Sequence, residues 1–171
     1  MNKKLLTIIL LIGFSIQVKG QKLVENKVDE FTGNQIKRTS WVTTSIGYSR
    51  TNFGISKINN NFYLNLKMLK GGVFSIAKGA NIMFKLTNEE IITLSNNNYE
   101  ITCTGCGAIG FVGSAAQGIN TSYDITTEQL TKLKNIGIKK IRIYTSDGYL
   151  EDDLKSKHDR KIKKAISLIL I

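Results

Sequence analysis

Residues 103–118, Cys-Thr-Gly-Cys-Gly-Ala-Ile-Gly-Phe-Val-Gly-Ser-Ala-Ala-Gln-Gly, hold both cysteines and five of the fifteen glycines of the chain. No helix or regular strand runs comfortably through such a segment, because each glycine inside an element costs roughly 1 kcal/mol relative to alanine. The stretch therefore divides the sequence. Before it, short apolar alternations separated by Asn- and Gly-rich turns read as strands. After it come the good helix signals of the mature chain.

The strand half begins with a hairpin over Lys27–Trp41, turned at Thr32-Gly33-Asn34, where Gly33 takes positive φ without steric cost. Phe53–Ile58 reads as the next strand region. Phe62, Leu64, Leu66 and Met68 alternate with Tyr63, Asn65 and Lys67, and this period of two places the apolar set on one sheet face. Val73–Ala77, Ile82–Leu86 and Ile91–Ser95 follow, each bounded by turn residues. Tyr99, Ile101 and Cys103 are expected on one face of the strand entering the glycines.

Beyond the glycines, Ile119–Ile125 reads as a strand. Thr126-Thr-Glu-Gln129 has the form of a capping box, with Ile125 and Leu130 spaced as a hydrophobic staple. The short helix it opens should end near Asn135, with Gly137 just beyond. Ile138–Thr145 reads as a strand, Asp147-Gly148 as a two-residue hairpin turn, and Tyr149–Asp153 as its return. From Leu154, the residues Leu154, His158, Ile162, Ala165, Ile166 and Ile169 form a helical stripe. The fold expected is α+β: a mainly antiparallel sheet, a meander of six or more strands, with one short helix and a C-terminal amphipathic helix packed on it.

Residues 1–20 read as a signal peptide. Lys3 and Lys4 precede a twelve-residue apolar run, Leu5–Ile16, too short to span a bilayer, and Val18 and Gly20 suit a cleavage site. Residues 21–171 are then one exported domain, periplasmic or secreted, with no later transmembrane segment. Loss of Lys3, Lys4 and Lys19 takes the net charge from +11 to +8. That charge is uneven: residues 21–131 carry ten basic and eight acidic side chains, residues 132–171 eleven and five. The basic C-terminal third is either a solvated face or a surface for an anionic envelope partner; nucleic acid is not the partner this reading favours.

Cys103 and Cys106 have C-x-x-C spacing. In an exported chain an oxidised, structural bridge is the default, and a thiol–disulfide redox pair is the alternative. Gly105-Cys-Gly107-Ala-Ile-Gly110 matches G-x-G-x-x-G in letters, but no parallel βαβ unit surrounds it, so no dinucleotide is expected. A loop that packs its backbone closely, or cradles a ligand with its amides, suits Gly105, Gly107, Gly110, Gly113, Ser114 and Gln117 better. A single histidine makes zinc a poor fit. Ser156, His158 and Asp159 do not converge as a triad on one helix. Trp41, Tyr48, Tyr63 and Tyr99 are either core or a stacking surface for sugar or bases. No catalytic residue, cofactor or metal ligand is assigned.

Val28-Asp-x-Phe31-Thr-Gly33, Thr39-Ser-Trp41, Cys103-x-Gly-Cys-Gly-Ala108 and Ile141–Gly148 resemble small exported proteins of unknown function from Gram-negative, Bacteroidota-type bacteria. The resemblance implies export and a single α+β domain and carries no activity. The sequence as a whole points to a non-enzymatic binding or structural module of the envelope or exterior.

Overall fold

A computed structural model describes residues 20–171. The expected signal peptide, apart from Gly20, lies outside the described residues. Among the described residues thirteen strands and two helices follow one another: β1 Leu23–Val28, β2 Gln35–Thr39, β3 Val42–Ile46, β4 Ser49–Ile58, β5 Asn61–Leu69, β6 Ser75–Ile76, β7 Asn81–Leu86, β8 Ile91–Ser95, β9 Glu100–Ile101, β10 Cys103–Thr104, β11 Gln117–Ile125, α1 Thr127–Asn135, β12 Ile138–Thr145, β13 Gly148–Asp153 and α2 Ser156–Ile169. The α+β class and the C-terminal helix packed on a mainly antiparallel sheet are as the sequence predicts.

A seven-stranded sheet runs β1-β2-β4-β5-β11-β10, with β3 also pairing β4. A four-stranded sheet runs β13-β12-β7-β8, and β6 pairs β9 separately. All pairs are antiparallel. Hairpins join neighbours in the chain, but β5–β11 and β7–β12 join segments far apart, and those two pairings set the architecture.

One core lies between the seven-stranded sheet and a second layer made of the four-stranded sheet and the helices. Phe53, Ile55, Leu64, Leu66, Met68, Ile119 and Tyr123 point into it from the first layer. Ile82, Phe84, Ile141, Ile143, Ile162, Ile166 and Ile169 meet them from the second. Phe53 and Phe84 meet edge to face, with ring centroids 6.3 Å apart. Each such side chain, fully buried, contributes about 1.5–3 kcal/mol.

Local chemistry explains the ends of α1. The Gln129 amide donates to Thr126 Oγ1 at 3.1 Å, and the Thr126 amide donates to Gln129 Oε1 at 3.0 Å, closing the capping box. Gly137, at φ +97°, lets the chain leave the helix into β12. Helix α2 begins at Ser156 rather than Leu154; Leu154 is buried as the lead-in, and its amide bonds to the Lys139 carbonyl as the strand ends.

Two strand expectations shift. The region expected from Phe53 starts at Ser49 and is preceded by β3. The inward residues Thr44 of β3 and Ser49 and Thr51 of β4 are polar: Ser49 bonds Thr51 and the Ile46 carbonyl, and Thr44 meets His158, so no apolar period marks them. The strand expected to carry Tyr99, Ile101 and Cys103 on one face is divided. The Thr102 amide turns to the Phe74 carbonyl, β9 pairs β6, and β10 pairs β11, leaving Tyr99 and Ile101 exposed.

Candidate functional site

The β3–β4 hairpin places Val42 opposite Phe53, both facing the core. Trp41, one residue earlier, therefore falls on the outer face beside Gly54. A Cβ on Gly54 would meet the indole at 3.2 Å, so only glycine lets the ring lie this close to the strand. Beside it the pairing of β4, β5 and β11 builds a grid of outward residues: Asn52, Lys67 and Asn120 in one row, Gly54, Asn65 and Ser122 in the next, Ser56, Tyr63 and Asp124 in the third.

This face holds a groove of about 480 Å³ with Trp41, Tyr63, Asn65, Lys67, Asn120 and Ser122 among its lining residues. Its charged lining residues are Arg38 and Lys67; no carboxylate lines it. Asn65 Nδ2 donates to Ser56 Oγ at 2.9 Å, fixing the amide across the strands. Thr43 Oγ1 donates to Asn52 Oδ1 at 2.7 Å beside it. Lys67 Nζ donates to the Ala108 carbonyl at 2.9 Å and stands 5.2 Å from the Trp41 ring centroid. Asn120 and Ser122 make no side-chain hydrogen bond to a described residue, so their donors and acceptors are open to a ligand.

The glycine-rich loop supports this face from its end. Cys103 and Cys106 are joined in a disulfide, with the Cys106 amide donating to the Cys103 carbonyl at 3.3 Å. No helix starts at the pair: α1 opens after β11, at the other end of that strand. A Cβ on Gly107 would come within 2.5 Å of the Met68 carbonyl oxygen, and one on Gly113 would overlap the Leu69 side chain. One on Gly118 would lie 2.7 Å from both the Gly107 nitrogen and Leu69 Cδ2. These glycines wrap the backbone around Leu69. The amides of Gly105, Cys106, Ala108, Ile109, Val112, Ser114 and Ala116 donate to carbonyls of the same loop. Ser114 Oγ donates to the Phe111 carbonyl and Gln117 Nε2 to Thr104 Oγ1. Gly110 stands in open space at the tip, next to the exposed Phe111. Close packing is thus the visible use of the loop, and its Ala108 carbonyl is what holds Lys67 over Trp41.

Of the four aromatics singled out in the sequence, Trp41 and Tyr63 come together in the groove. Tyr48 lies at the opposite end of β4, with Lys70 Nζ 5.6 Å from its ring centroid, and Tyr99 is exposed in a turn. The amide and hydroxyl members, Ser56, Asn65, Asn120 and Ser122, escaped the sequence reading. The alternation of Tyr63, Asn65 and Lys67 marked one strand's polar face, but its partner strands come from distant segments.

No family model matches the chain, and no curated protein or solved structure matches it.

A second hollow, about 460 Å³, lies on the outer face of the four-stranded sheet. Its charges answer one another. Glu151 takes Lys140 at 2.8 Å and Arg142 at 2.5 Å; Glu89 takes Lys139 at 2.6 Å and also Lys85. Hydrogen bonds from Lys139 and then Lys85 hold the Glu89 carboxyl down to about 2. Exposed pairs of this kind contribute little to stability, yet they leave the hollow with satisfied charges rather than open ones. Among the described residues no three His, Cys, Asp or Glu side chains cluster as metal ligands, and no helix is long and apolar enough to cross a membrane.

Proposed function

We propose that this chain is an exported, non-enzymatic binding module, and that its ligand surface is the Trp41 groove. The observation that carries the reading is the pairing of Trp41 with Gly54 at the edge of a row of amides and hydroxyls. An aromatic face offers an apolar stacking surface, and Asn and Ser side chains both donate and accept. That combination suits a hydroxyl-rich ligand with apolar C–H faces, a saccharide chain. The absence of lining carboxylates and the presence of Lys67 extend the fit to sugars bearing acidic groups, while Arg38 at the groove is held by Glu25 at 2.8 Å. The groove is open and shallow and holds no acid–base or nucleophile–base pair, so binding rather than turnover is the reading. Export rests on the sequence of residues 1–20.

Calorimetric titration of the protein with neutral and acidic oligosaccharides tests the assignment. Binding should be weakened tenfold or more by Trp41→Ala, the loss of an aromatic contact worth about 1.4 kcal/mol. Asn120→Ala should weaken it with no change in thermal stability. No binding across the panel, or equal binding by a folded Trp41→Ala variant, refutes the proposal.

A further inference from the structure

The cations on and beside the four-stranded sheet are paired, whereas those on the outer side of α2 are not. Lys85, Lys139, Lys140, Arg142 and Lys132 each sit on a glutamate. On α2, Lys157, Arg160, Lys161 and Lys164 are all exposed, and none pairs with a described carboxylate. At 3.6 residues per turn these four fall within an arc of about 100°, opposite the buried Ile162, Ala165, Ile166 and Ile169. The acidic residue within the helix, Asp159, is already engaged: it takes Lys163 at 3.3 Å and accepts from the Ile138 amide at 2.8 Å.

This arrangement opposes the helix's own stability. Lys157 with Lys161, and Arg160 with Lys164, are like charges at i,i+4 and repel. Lys155 occupies the N-cap without a side-chain hydrogen bond, and Lys157 stands in the first turn, both at the positive end of the helix dipole. The field reaches His158, whose imidazole is pushed below its ordinary value first by burial and then by Lys157, Lys161 and Lys155.

We propose that this face of α2 docks on an anionic phospholipid surface through headgroup phosphates. Residues 157–164 line neither the groove nor the hollow described above, so what the face offers is charge density rather than shape. Four clustered cations on one side of an amphipathic helix match electrostatic adsorption to a bilayer. No aromatic residue stands among them to stack nucleic-acid bases. The helix lies on the core side of the seven-stranded sheet against β2, β3 and β4, whereas the groove occupies the other side. A protein adsorbed through α2 presents the groove away from the membrane. This docking stands on different residues from the saccharide reading and is tested separately.

The test is co-sedimentation of the protein with vesicles of phosphatidylcholine alone or mixed with phosphatidylglycerol, at low and high salt. The protein should bind the mixed vesicles at low salt and release at high salt. A Lys157→Gln/Arg160→Gln/Lys161→Gln variant, shown folded by its circular dichroism, should bind about a hundredfold more weakly, since each charge near an anionic surface is worth roughly fivefold. A Lys22→Gln/Arg50→Gln/Lys78→Gln control, with the same net charge, should bind like the wild type, and so should Trp41→Ala. Absence of binding at low salt, equal loss in the control, or preference for duplex DNA or a sulfated polysaccharide over vesicles overturns the proposal.

Discussion

Trp41 lies against Gly54 so closely that a methyl group at position 54 would stand 3.2 Å from ring carbons Cε3 and Cζ3. The contact follows from register. Val42 pairs Phe53 inside, so the next residue outward on each strand meets its counterpart on the outer face. Gly54→Ala should force the indole to move by a few tenths of an ångström and cost about 1 kcal/mol, at the low end of overpacking. Trp41 is the single tryptophan of the chain, so its emission reports the movement directly. A shifted emission maximum with a small drop in the urea midpoint is expected; an unchanged spectrum would mean the ring does not rest on Gly54.

The glycines of the loop should not be equivalent. Gly107 faces the Met68 carbonyl, which is backbone of a central strand and cannot yield, so Gly107→Ala should cost more than about 2 kcal/mol. Gly110 is at φ +59° in open space, and Gly110→Ala should cost only the left-handed penalty of about 1–2 kcal/mol. Chemical denaturation of the two variants orders them. Equal costs would show that the loop does not close on β5.

How much of this was legible depends on distance along the chain. The capping box Thr126–Gln129 and the alternation over Phe62–Met68 are local and appear where their residues place them; the hairpin signalled by Asp147-Gly148 also forms, but its loop is Ser146-Asp147, with Gly148 already paired to Thr145. Leu66 pairing Thr121, and Phe84 pairing Ile141, are long-range choices decided by burial of whole faces, and no short window encodes them. The groove was hidden for the same reason. Asn65 and Ser122 become neighbours only when β11 returns to β5. The cysteines drew notice because their spacing is local, yet the bridge closes a turn beside the groove rather than forming its surface.

That bridge should matter modestly. Cys103 and Cys106 enclose a loop so short that constraining the unfolded chain contributes roughly 2 kcal/mol at most. The double change to Ser should lower the unfolding free energy from urea melts by no more than that and leave saccharide binding intact. Loss of binding in a folded double variant would move the functional centre from the groove to the disulfide.

Helix α2 should divide cleanly into a structural and a docking side. Ile162 is 3% exposed within the core, so Ile162→Ala should cost about 2–5 kcal/mol. Lys161 is exposed and repels Lys157, so Lys161→Ala should change stability by less than about 0.5 kcal/mol, toward greater stability. Urea melts decide between this and a helix that is only loosely attached, for which both changes would be small.

His158 gives the protein a pH dependence that can be isolated, because the chain has no other histidine. Its Nδ1 lies 2.8 Å from Thr44 Oγ1, and burial together with Lys157, Lys161 and Lys155 lowers its folded pKa below the unfolded value of about 6.5. The unfolded chain therefore takes up the proton first. The stability that this neutral imidazole contributes is complete above the unfolded pKa and is lost as pH falls through the folded one. Urea midpoints measured from about pH 7 down to 5, where carboxylates contribute least, should fall for the wild type and stay nearly level for His158→Gln, which can keep a bond to Thr44. Anionic vesicles should reduce the fall, since neutralising Lys157 and Lys161 removes part of what disfavours the imidazolium. A His158→Gln profile that falls as steeply as the wild type would assign the acid sensitivity to other groups.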